Sequence, residues 1–328
     1  MKKHNIAIFA LIFIFALIIS FAIGRYSISP ISLLKALFGF TITAQEKTII
    51  FNLRLPRIII ATFLGAGLSL SGLVYQGIFQ NPMVSPDLLG STSGAGFGAA
   101  LAILLGLSYL EITLVSFLFG ILAVSFVLLI SSRVRGNPTL TLVLSGMMVS
   151  SVFSALISFI KLIADPEEAL PQITYFLMGS LSSVRKEDIL PVFILIVIAI
   201  VPIVILRWSL NIMTQGEEEA KALGINTKAV RLASIISATI VTATATSLCG
   251  MISYVGLVIP HLVRMITGCD YRKTVPASIL LGSSFLLLVD TISRSIATVE
   301  LPIGILTSLI GAPFFLYLIV REAKKLWN

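Results

Sequence analysis

The run LPVFILIVIAIVPIVILRW, residues 190–208, has 19 residues and no charged side chain before Arg207. A helix needs about 20 mostly apolar residues to cross the hydrocarbon core of a bilayer, so the run predicts a membrane-spanning helix. Comparable runs recur along the 328 residues, of which 57% are hydrophobic and 12% charged, and the mean hydropathy is +1.05. This composition excludes an ordinary soluble domain and predicts an all-α polytopic membrane protein.

About ten apolar segments are long enough to span, which makes residues 1–328 a single transmembrane domain. The predicted spans are residues 6–24, 57–79, 88–106, 110–132, 139–160, 190–208, 229–249, 251–267, 276–296 and 303–320. Pro260 and two polar neighbours interrupt the eighth. A cleaved signal peptide stays open as the alternative for the first, because basic residues precede its apolar run.

A hydrophilic stretch, TQGEEEAKALGINTKAVR, follows closely after the run at 190–208; we call these residues, 214–231, the polar segment. Thr214 and Glu217 have the spacing of a capping box, and Gly224 is a typical left-handed helix stop. The predicted helix is about two turns long and needs a partner protein or the membrane surface to hold it. An ordinary polar loop is the alternative.

The side chains of this predicted helix divide by character. Glu217, Glu218 and Glu219 lie at the positive end of the helix dipole, and Ala220 with Leu223 is predicted to form a small apolar face. An apolar face flanked by carboxylates favours a docking element.

Orientation follows from the distribution of Lys and Arg between loops. With a cytoplasmic N-terminus, fourteen basic and six acidic residues lie inside, whereas nine basic and eight acidic residues lie outside. The net charge is then +8 inside and +1 outside, which predicts that both termini and the polar segment are cytoplasmic.

Residues that would support other functions are scarce. The two cysteines and two histidines lie in no metal-binding or disulfide pattern. There is no HExxH motif, no pair of intramembrane aspartates and no serine with a nearby histidine, so an intramembrane protease or transferase lacks its parts. The basic excess is typical of cytoplasmic loops and does not indicate nucleic-acid binding.

Asp290 is the one carboxylate well inside a predicted span, and Arg294 follows it one helical turn later. Such a pair favours mutual neutralisation over a proton relay. An ion-coupled secondary transporter is therefore the less favoured alternative, and we expect the energy source to lie outside this chain.

Five motifs resemble one family of transporters. They are RLPR (54–57), GxxxQxxxxNPMVSPDLLG (72–90), GEEEAKALG (216–224), GLVIPHLVR (256–264) and LPIGILTSLIGAPFF (301–315). In content, order and spacing they resemble the permease subunits of FecCD-class ABC importers, which take up iron siderophores, haem and cobalamin. The resemblance covers nearly the whole chain.

The resemblance implies a type II ABC importer permease, with ten helices per subunit and a homodimer whose transport path lies on the two-fold axis. It implies two cytoplasmic ABC ATPase subunits that bind ATP and Mg, and an extracytoplasmic substrate-binding protein. The expected location is the cytoplasmic (inner) membrane of a prokaryote. The chain itself is expected to be no enzyme and to bind neither cofactor nor metal.

Site residues carry over from the resemblance one by one. Coupling helices at about residues 211–225 would enter a cleft on the ATPase through Gly216, Glu217, Glu218, Glu219, Ala220, Leu223 and Gly224. Docking to glutamates of the binding protein is implied for Arg54, Arg57 and Arg294, which the charge distribution independently places outside.

Two further sets of positions are implied by the same resemblance. The gate would consist of Asn81, Met83, Thr139 and Leu140. The path lining would consist of Met147, Ser150, Ser154, Thr307, Ser308 and Gly311. Ferric siderophore is the commonest cargo of the family, and haem, cobalamin and an oxyanion such as molybdate are the alternatives.

Overall fold

A computed structural model describes residues 4–26, 28–134, 137–297 and 299–326. All regular secondary structure in these ranges is helical. In chain order the α-helices are α1 (His4–Ala22), α2 (Pro30–Leu37), α3 (Ala44–Thr48), α4 (Leu55–Ile78), α5 (Ser91–Leu104), α6 (Tyr109–Arg133), α7 (Pro138–Ile163), α8 (Ala169–Met178), α9 (Ile189–Ile205), α10 (Arg207–Met213), α11 (Glu217–Ala222), α12 (Thr227–Cys249), α13 (Val255–Thr267), α14 (Tyr271–Ser293) and α15 (Ile303–Leu326). A π-helix, Ile49–Arg54, precedes α4, and 3-10 turns lie at Pro86–Leu89 and Lys186–Asp188.

The predicted spans correspond to α1, α4, α5, α6, α7, α9, α12, α13, α14 and α15. Within the described ranges, six helical segments are long and apolar enough to cross a membrane: Ala44–Ile78, Tyr109–Arg133, Pro138–Ile163, Lys186–Ile205, Thr227–Cys249 and Tyr271–Ser293. Shorter apolar helices lie at Ile6–Ala22, Ser91–Leu104, Val255–Thr267 and Ile303–Tyr317. The all-α polytopic fold class is confirmed.

Two helices begin at other positions than predicted. α13 starts at Val255 instead of residue 251, because Gly250 and Tyr254 adopt positive φ angles of 68° and 65° and interrupt the helix. α14 starts at Tyr271 instead of residue 276, because the Asp270 side chain caps its first turn.

The helix α4 lies at the centre of the bundle. Of its 24 residues, 20 are buried, and it packs against α9, α12, α13 and α14. A Cβ atom on Gly65 would lie 2.4 Å from the carbonyl oxygen of Gly282 on α14, and one on Gly72 would lie 1.7 Å from that of Gly256 on α13. Small residues therefore allow the close backbone contacts that stabilise helix pairs in lipid.

The helices α6, α7 and α9 lie at the periphery. Their apolar windows are only 33%, 33% and 22% buried within the subunit. Large apolar side chains such as Leu118, Met148 and Ile198 are exposed there. In a membrane protein this surface contacts lipid or another subunit.

A side chain of α4 replaces a backbone hydrogen bond that is missing within α13. Pro260 has no N–H to offer the carbonyl four residues earlier, that of Gly256. Gln76 of α4 supplies a donor instead: its Nε2 lies 3.4 Å from the Gly256 oxygen and 3.2 Å from the Leu257 oxygen. Its Oε1 accepts a hydrogen bond from Nη2 of Arg264. A bare carbonyl is costly within a bilayer, so hydrogen bonding as well as packing specifies the contact between α4 and α13.

We predict that Gln76→Leu destabilises the purified subunit by about 1–3 kcal/mol, because it leaves buried polar groups unpaired. The same substitution should cost less when combined with Pro260→Ala, since the alanine restores the N–H that Gly256 lacks. Thermal unfolding in detergent of the wild type, both single variants and the double variant measures the coupling. An equal cost of Gln76→Leu in both backgrounds would contradict this role of Gln76.

Candidate functional site

The short helices α10 and α11 join α9 to α12 at the end of the bundle where α4 ends and α14 begins. Asn211 of α10 donates from Nδ2 to Oδ1 of Asp270 at 3.0 Å, and its Oδ1 accepts the Tyr271 N–H at 2.7 Å. Gln80, just beyond α4, donates to the Met213 carbonyl at 3.0 Å. The helix α10 is therefore tied directly to both α4 and α14.

The predicted capping box at the start of α11 is wrong. The Thr214 hydroxyl donates to the Asn211 carbonyl at 2.6 Å and closes α10 instead. Gly216 occupies the N-cap position of α11, with no side-chain hydrogen bond, and Glu217 bonds to α12. The reason is that α10 runs to Met213, which leaves Thr214 in the last turn of the preceding helix.

The predicted stop at Gly224 is confirmed. Gly224 has a φ angle of +77°, in the left-handed region. Its N–H donates to the Lys221 carbonyl at 2.9 Å, and the Ile225 N–H donates to the Ala220 carbonyl at 3.0 Å. This is the hydrogen-bond pattern of a Schellman motif, and it fixes the direction in which the chain enters α12.

Glu217 anchors α11 to α12. Its Oε2 accepts from Arg231 Nη2 at 2.7 Å, and its Oε1 accepts from the Thr227 hydroxyl at 3.3 Å. Lys221 Nζ lies 3.4 Å from the same carboxylate. The hydrogen bond from Arg231 is the main reason that the pKa of Glu217 lies below its ordinary range. Glu217 thus holds the helix in place, a role that the motif alone did not reveal.

The outward surface of α11 is polar with one apolar residue. The Glu218 side chain is 88% exposed and Leu223 is 62% exposed, whereas Ala220 is fully buried. The predicted apolar face of Ala220 and Leu223 is therefore wrong. Leu223 lies beyond the last residue of α11, so it points outward while Ala220 packs inward. An exposed leucine beside exposed carboxylates suits a docking surface on another protein.

A cluster of charged residues lies at the opposite end of α4, about 36 Å away at 1.5 Å per residue. We call Arg54, Arg57, Asp290, Arg294 and Glu300 the arginine cluster. Arg57 donates from Nε to Asp290 at 2.6 Å and from Nη1 to Glu300 at 2.9 Å. Arg294 Nε lies 3.4 Å from Asp290, an ion pair without hydrogen-bond geometry. The predicted Asp290–Arg294 pair is present, but Arg57 is the closer partner.

The other arginines of the cluster cap the C-terminal end of α1. Arg54 donates to the carbonyls of Phe21 and Tyr26, and Arg294 donates to the Ser20 carbonyl. Cations at this position satisfy terminal carbonyls and interact favourably with the helix dipole. Arg54, Arg57 and Arg294 are only 5%, 9% and 6% exposed, respectively. All three meet at one site, and their docking role stays a prediction.

Sequence reasoning did not single out two residues of these contacts, Glu300 and Gln76. Glu300 directly precedes the LPIG sequence and bonds to Arg57. Gln76 lies within the motif at residues 72–90, and its side chain bonds to α13. Their positions inside or next to a motif were the only features of the sequence that could have pointed to a role. Pairing across more than 100 residues of chain is what the sequence alone does not reveal.

The predicted gate residues lie in two places. Asn81 and Met83 are in the turn after α4, where Asn81 Oδ1 accepts the Met83 N–H at 2.9 Å. Thr139 and Leu140 are in the first turn of α7, which Asn137 caps. Met83 and Leu140 are exposed. The gate itself stays a prediction.

Exposure separates the predicted path-lining residues: Met147 and Ser154 are exposed, Ser150 and Ser308 are half-buried, and Thr307 and Gly311 are buried. Gly311 packs closely on Tyr254, since a Cβ there would lie 2.4 Å from the Tyr254 Cβ. Thr307 and Gly311 thus contact their own subunit in this conformation. A role in the path stays a prediction for all six.

Comparison with known proteins shows the family to which the chain belongs. Residues 12–321 match the FecCD transport family. The chain is 40% identical over 315 residues to the molybdate import system permease protein MolB of Haemophilus influenzae, which covers 95% of this chain and 94% of that protein. It is 42% identical over 273 residues to the "Probable iron chelatin transport system permease protein" of Helicobacter pylori, which covers 83% of this chain and 82% of that protein.

A solved structure of a similar protein supports the same family assignment. The chain matches a metal-chelate type ABC transporter in an inward-facing conformation with a TM-score of 0.89 and 39% sequence identity. The match covers 98% of this chain and 100% of that one. The chain therefore belongs to the FecCD transport family, as a permease of a metal-chelate type ABC importer.

Proposed function

We propose that two copies of this chain form the membrane part of a binding-protein-dependent importer in the cytoplasmic (inner) membrane of a prokaryote. Each copy couples to one cytoplasmic ABC ATPase, which binds ATP and Mg, and both termini are cytoplasmic. The excess of basic residues over all loops on the predicted cytoplasmic side supports this orientation. Exposed apolar residues on α7, including Leu144, Met148 and Val152, support a second copy as a neighbour within the membrane.

The observation that carries this proposal is the geometry of α11. The helix is held from behind by the Glu217–Arg231 hydrogen bond and by buried Ala220, and it presents Glu218 and Leu223 outward. A helix of six residues is unstable alone, so this anchoring keeps it formed in the absence of a partner. A preformed helix with an exposed outer surface supports docking in an ATPase cleft.

The contacts of α10 suggest how ATP drives transport. When the ATPases close on ATP, α10 and α11 move with them. The Asn211–Asp270 bond passes this motion to the start of α14, and the Gln80–Met213 bond passes it to the end of α4. Both helices run the length of the bundle to the arginine cluster. Their motion would open the transport path to one side of the membrane and close it to the other.

The arginine cluster is proposed to receive glutamates of the binding protein. Arg57 and Arg294 already hold Asp290, and Arg54 holds carbonyls of α1. Docking therefore has to use guanidinium donors that these internal contacts leave over, or to displace Glu300, whose side chain is partly exposed. The arginine cluster would then both bind the binding protein and stabilise the fold of the permease.

Ferric siderophore is the cargo that we propose, and molybdate is the second candidate. The iron chelatin and molybdate relatives support the two at similar identity, 42% and 40%. Among described residues, no group of three or more His, Cys, Asp or Glu is placed to hold a metal ion. A cargo delivered as a complete chelate needs no such group.

An ion-coupled secondary transporter has less support from the structure. Its proton relay would need Asp290 to exchange a proton with the path. Asp290 is fully buried and lies within ion-pair distance of Arg57 and Arg294, so it is held in internal contacts and not at an exposed surface. We therefore retain the ATP-driven importer as the proposal.

We predict that Glu218→Lys lowers ATP-dependent uptake about tenfold without lowering the yield of folded permease, because it reverses an exposed charge at the docking surface. The measurement is ATP-dependent cargo uptake by proteoliposomes that contain the permease and its ATPase, with the cargo-loaded binding protein supplied on the side from which cargo is taken up. Glu167→Lys is the matched control, since Glu167 is also exposed but lies in the turn between α7 and α8. Equal uptake by the Glu218→Lys variant and the wild type would contradict the coupling role.

We predict that Glu217→Gln destabilises the subunit more at neutral than at acid pH. The Arg231 bond lowers the folded pKa of Glu217 below the ordinary value of 4.5. Its stabilisation is therefore present in full above pH 4.5 and is lost as pH falls through the lower, folded pKa. The difference in melting temperature between wild type and variant, measured against pH, tests this. Glu218→Gln serves as the exposed control, and a pH-independent difference for Glu217→Gln would refute the anchor.

We predict that cells containing this permease, its ATPase and its binding protein take up radiolabelled ferric siderophore in preference to molybdate. Uptake should stop when the binding protein is removed, because none of the six predicted path-lining residues is charged and the binding protein is expected to select the ligand. Saturable molybdate uptake with no siderophore uptake would make molybdate the cargo and leave the importer assignment intact.

A further inference from the structure

A cavity of about 370 Å³ opens beside the arginine cluster. It lies among the end of α1, the π-helix, the start of α4 and the segments that flank α14 and α15. Its polar lining consists mainly of Arg25, Asn52, Arg54, Arg57, Arg294 and Glu300. Four guanidinium groups and one carboxylate therefore surround a space large enough for a small solute.

The charges of the arginine cluster do not balance. Three guanidiniums face two carboxylates, which leaves one positive charge, and exposed Arg25 on the cavity wall adds another. Arg54 is only 5% exposed, yet the ion pairs found in the described part of the chain give it no carboxylate. Its hydrogen bonds go to neutral carbonyls. Burying a cation without an anion costs free energy, and an anion bound in the cavity would reduce that cost.

The hydrogen-bonding capacity of the cluster is also incomplete. Arg57 is 9% exposed and lines the cavity, but its Nη2 has no hydrogen-bond partner. Arg294 Nε likewise has none. Both nitrogens are sealed from the cavity in this conformation, so an anion would reach Arg57 Nη2 only after a small shift of the side chain.

We propose that this cavity is an oxyanion-binding site of the permease subunit itself. A tetrahedral inorganic oxyanion such as sulfate or phosphate offers several acceptor oxygens, which can accept from the N–H groups that the internal contacts of Arg54 and Arg57 leave over. The bound anion offsets the excess charge and strengthens the attachment of α1 to α14. The site is a property of the subunit alone and does not depend on docking of a binding protein. A phospholipid headgroup has the same phosphate chemistry, and the experiment separates the two sources.

The test is isothermal titration of sulfate into the purified full-length permease in an uncharged detergent, at constant ionic strength. We expect saturable binding. Arg25→Gln removes a cation from the exposed wall and should weaken binding about tenfold, whereas Glu300→Gln removes the competing carboxylate and should strengthen it. Arg185→Gln is the matched control, because Arg185 stacks on Tyr109 outside this cavity and should leave affinity unchanged.

Opposite shifts in Arg25→Gln and Glu300→Gln cannot arise from a general loss of folding. Absence of saturable binding, or equal weakening by Arg25→Gln and Arg185→Gln, would overturn the site. The titration is repeated in phosphatidylcholine nanodiscs with and without phosphatidylglycerol. Unchanged sulfate affinity supports the soluble anion, whereas competitive loss of sulfate binding would overturn it in favour of a lipid headgroup.

Discussion

The Gly256 carbonyl is the constraint on which the centre of the bundle depends. Pro260 leaves it without a donor from its own helix, and the membrane interior has no water to supply one. Gln76 supplies the hydrogen bond, and Gly72 one turn earlier gives the carbonyl room to approach α4. Two motifs distant in sequence thus form one joint between α4 and α13. The close glycine contact between Gly65 and Gly282 fixes α14 to the same helix.

In the proposed mechanism, this central packing connects the two ends of the subunit. One end of α4 and α14 holds α10 through Gln80 and Asn211, and the other end carries Arg57 and Asp290. A motion at α11 would therefore reach the arginine cluster through α4 and α14, which pack closely against each other. The proposed mechanism requires α4 and α14 to move largely as one body, because the close contact between Gly65 and Gly282 leaves no space for sliding.

Much of the fold was predictable from the sequence because it depends on local physics. Apolar run length located the spans, and Gly224 marked the end of α11, since only a residue that tolerates positive φ suits that position. The start of α11 was wrongly predicted, because the extra helix α10 takes Thr214 into its last turn. The pairing of Glu300 with Arg57 and of Gln76 with α13 could not be predicted, because these contacts join segments far apart in the chain.

In the proposed mechanism, a separate ATPase drives this permease through α11. The most direct measurement is gentle purification of the chain from its native membrane, followed by quantification of any ABC ATPase that accompanies it. We expect one ATPase per permease, and we expect it to be lost in Gly224→Pro, because proline cannot adopt the positive φ of this position and has no N–H to donate to the Lys221 carbonyl. A permease that purifies without an ATPase yet moves solute on an ion gradient would show that no separate ATPase drives transport.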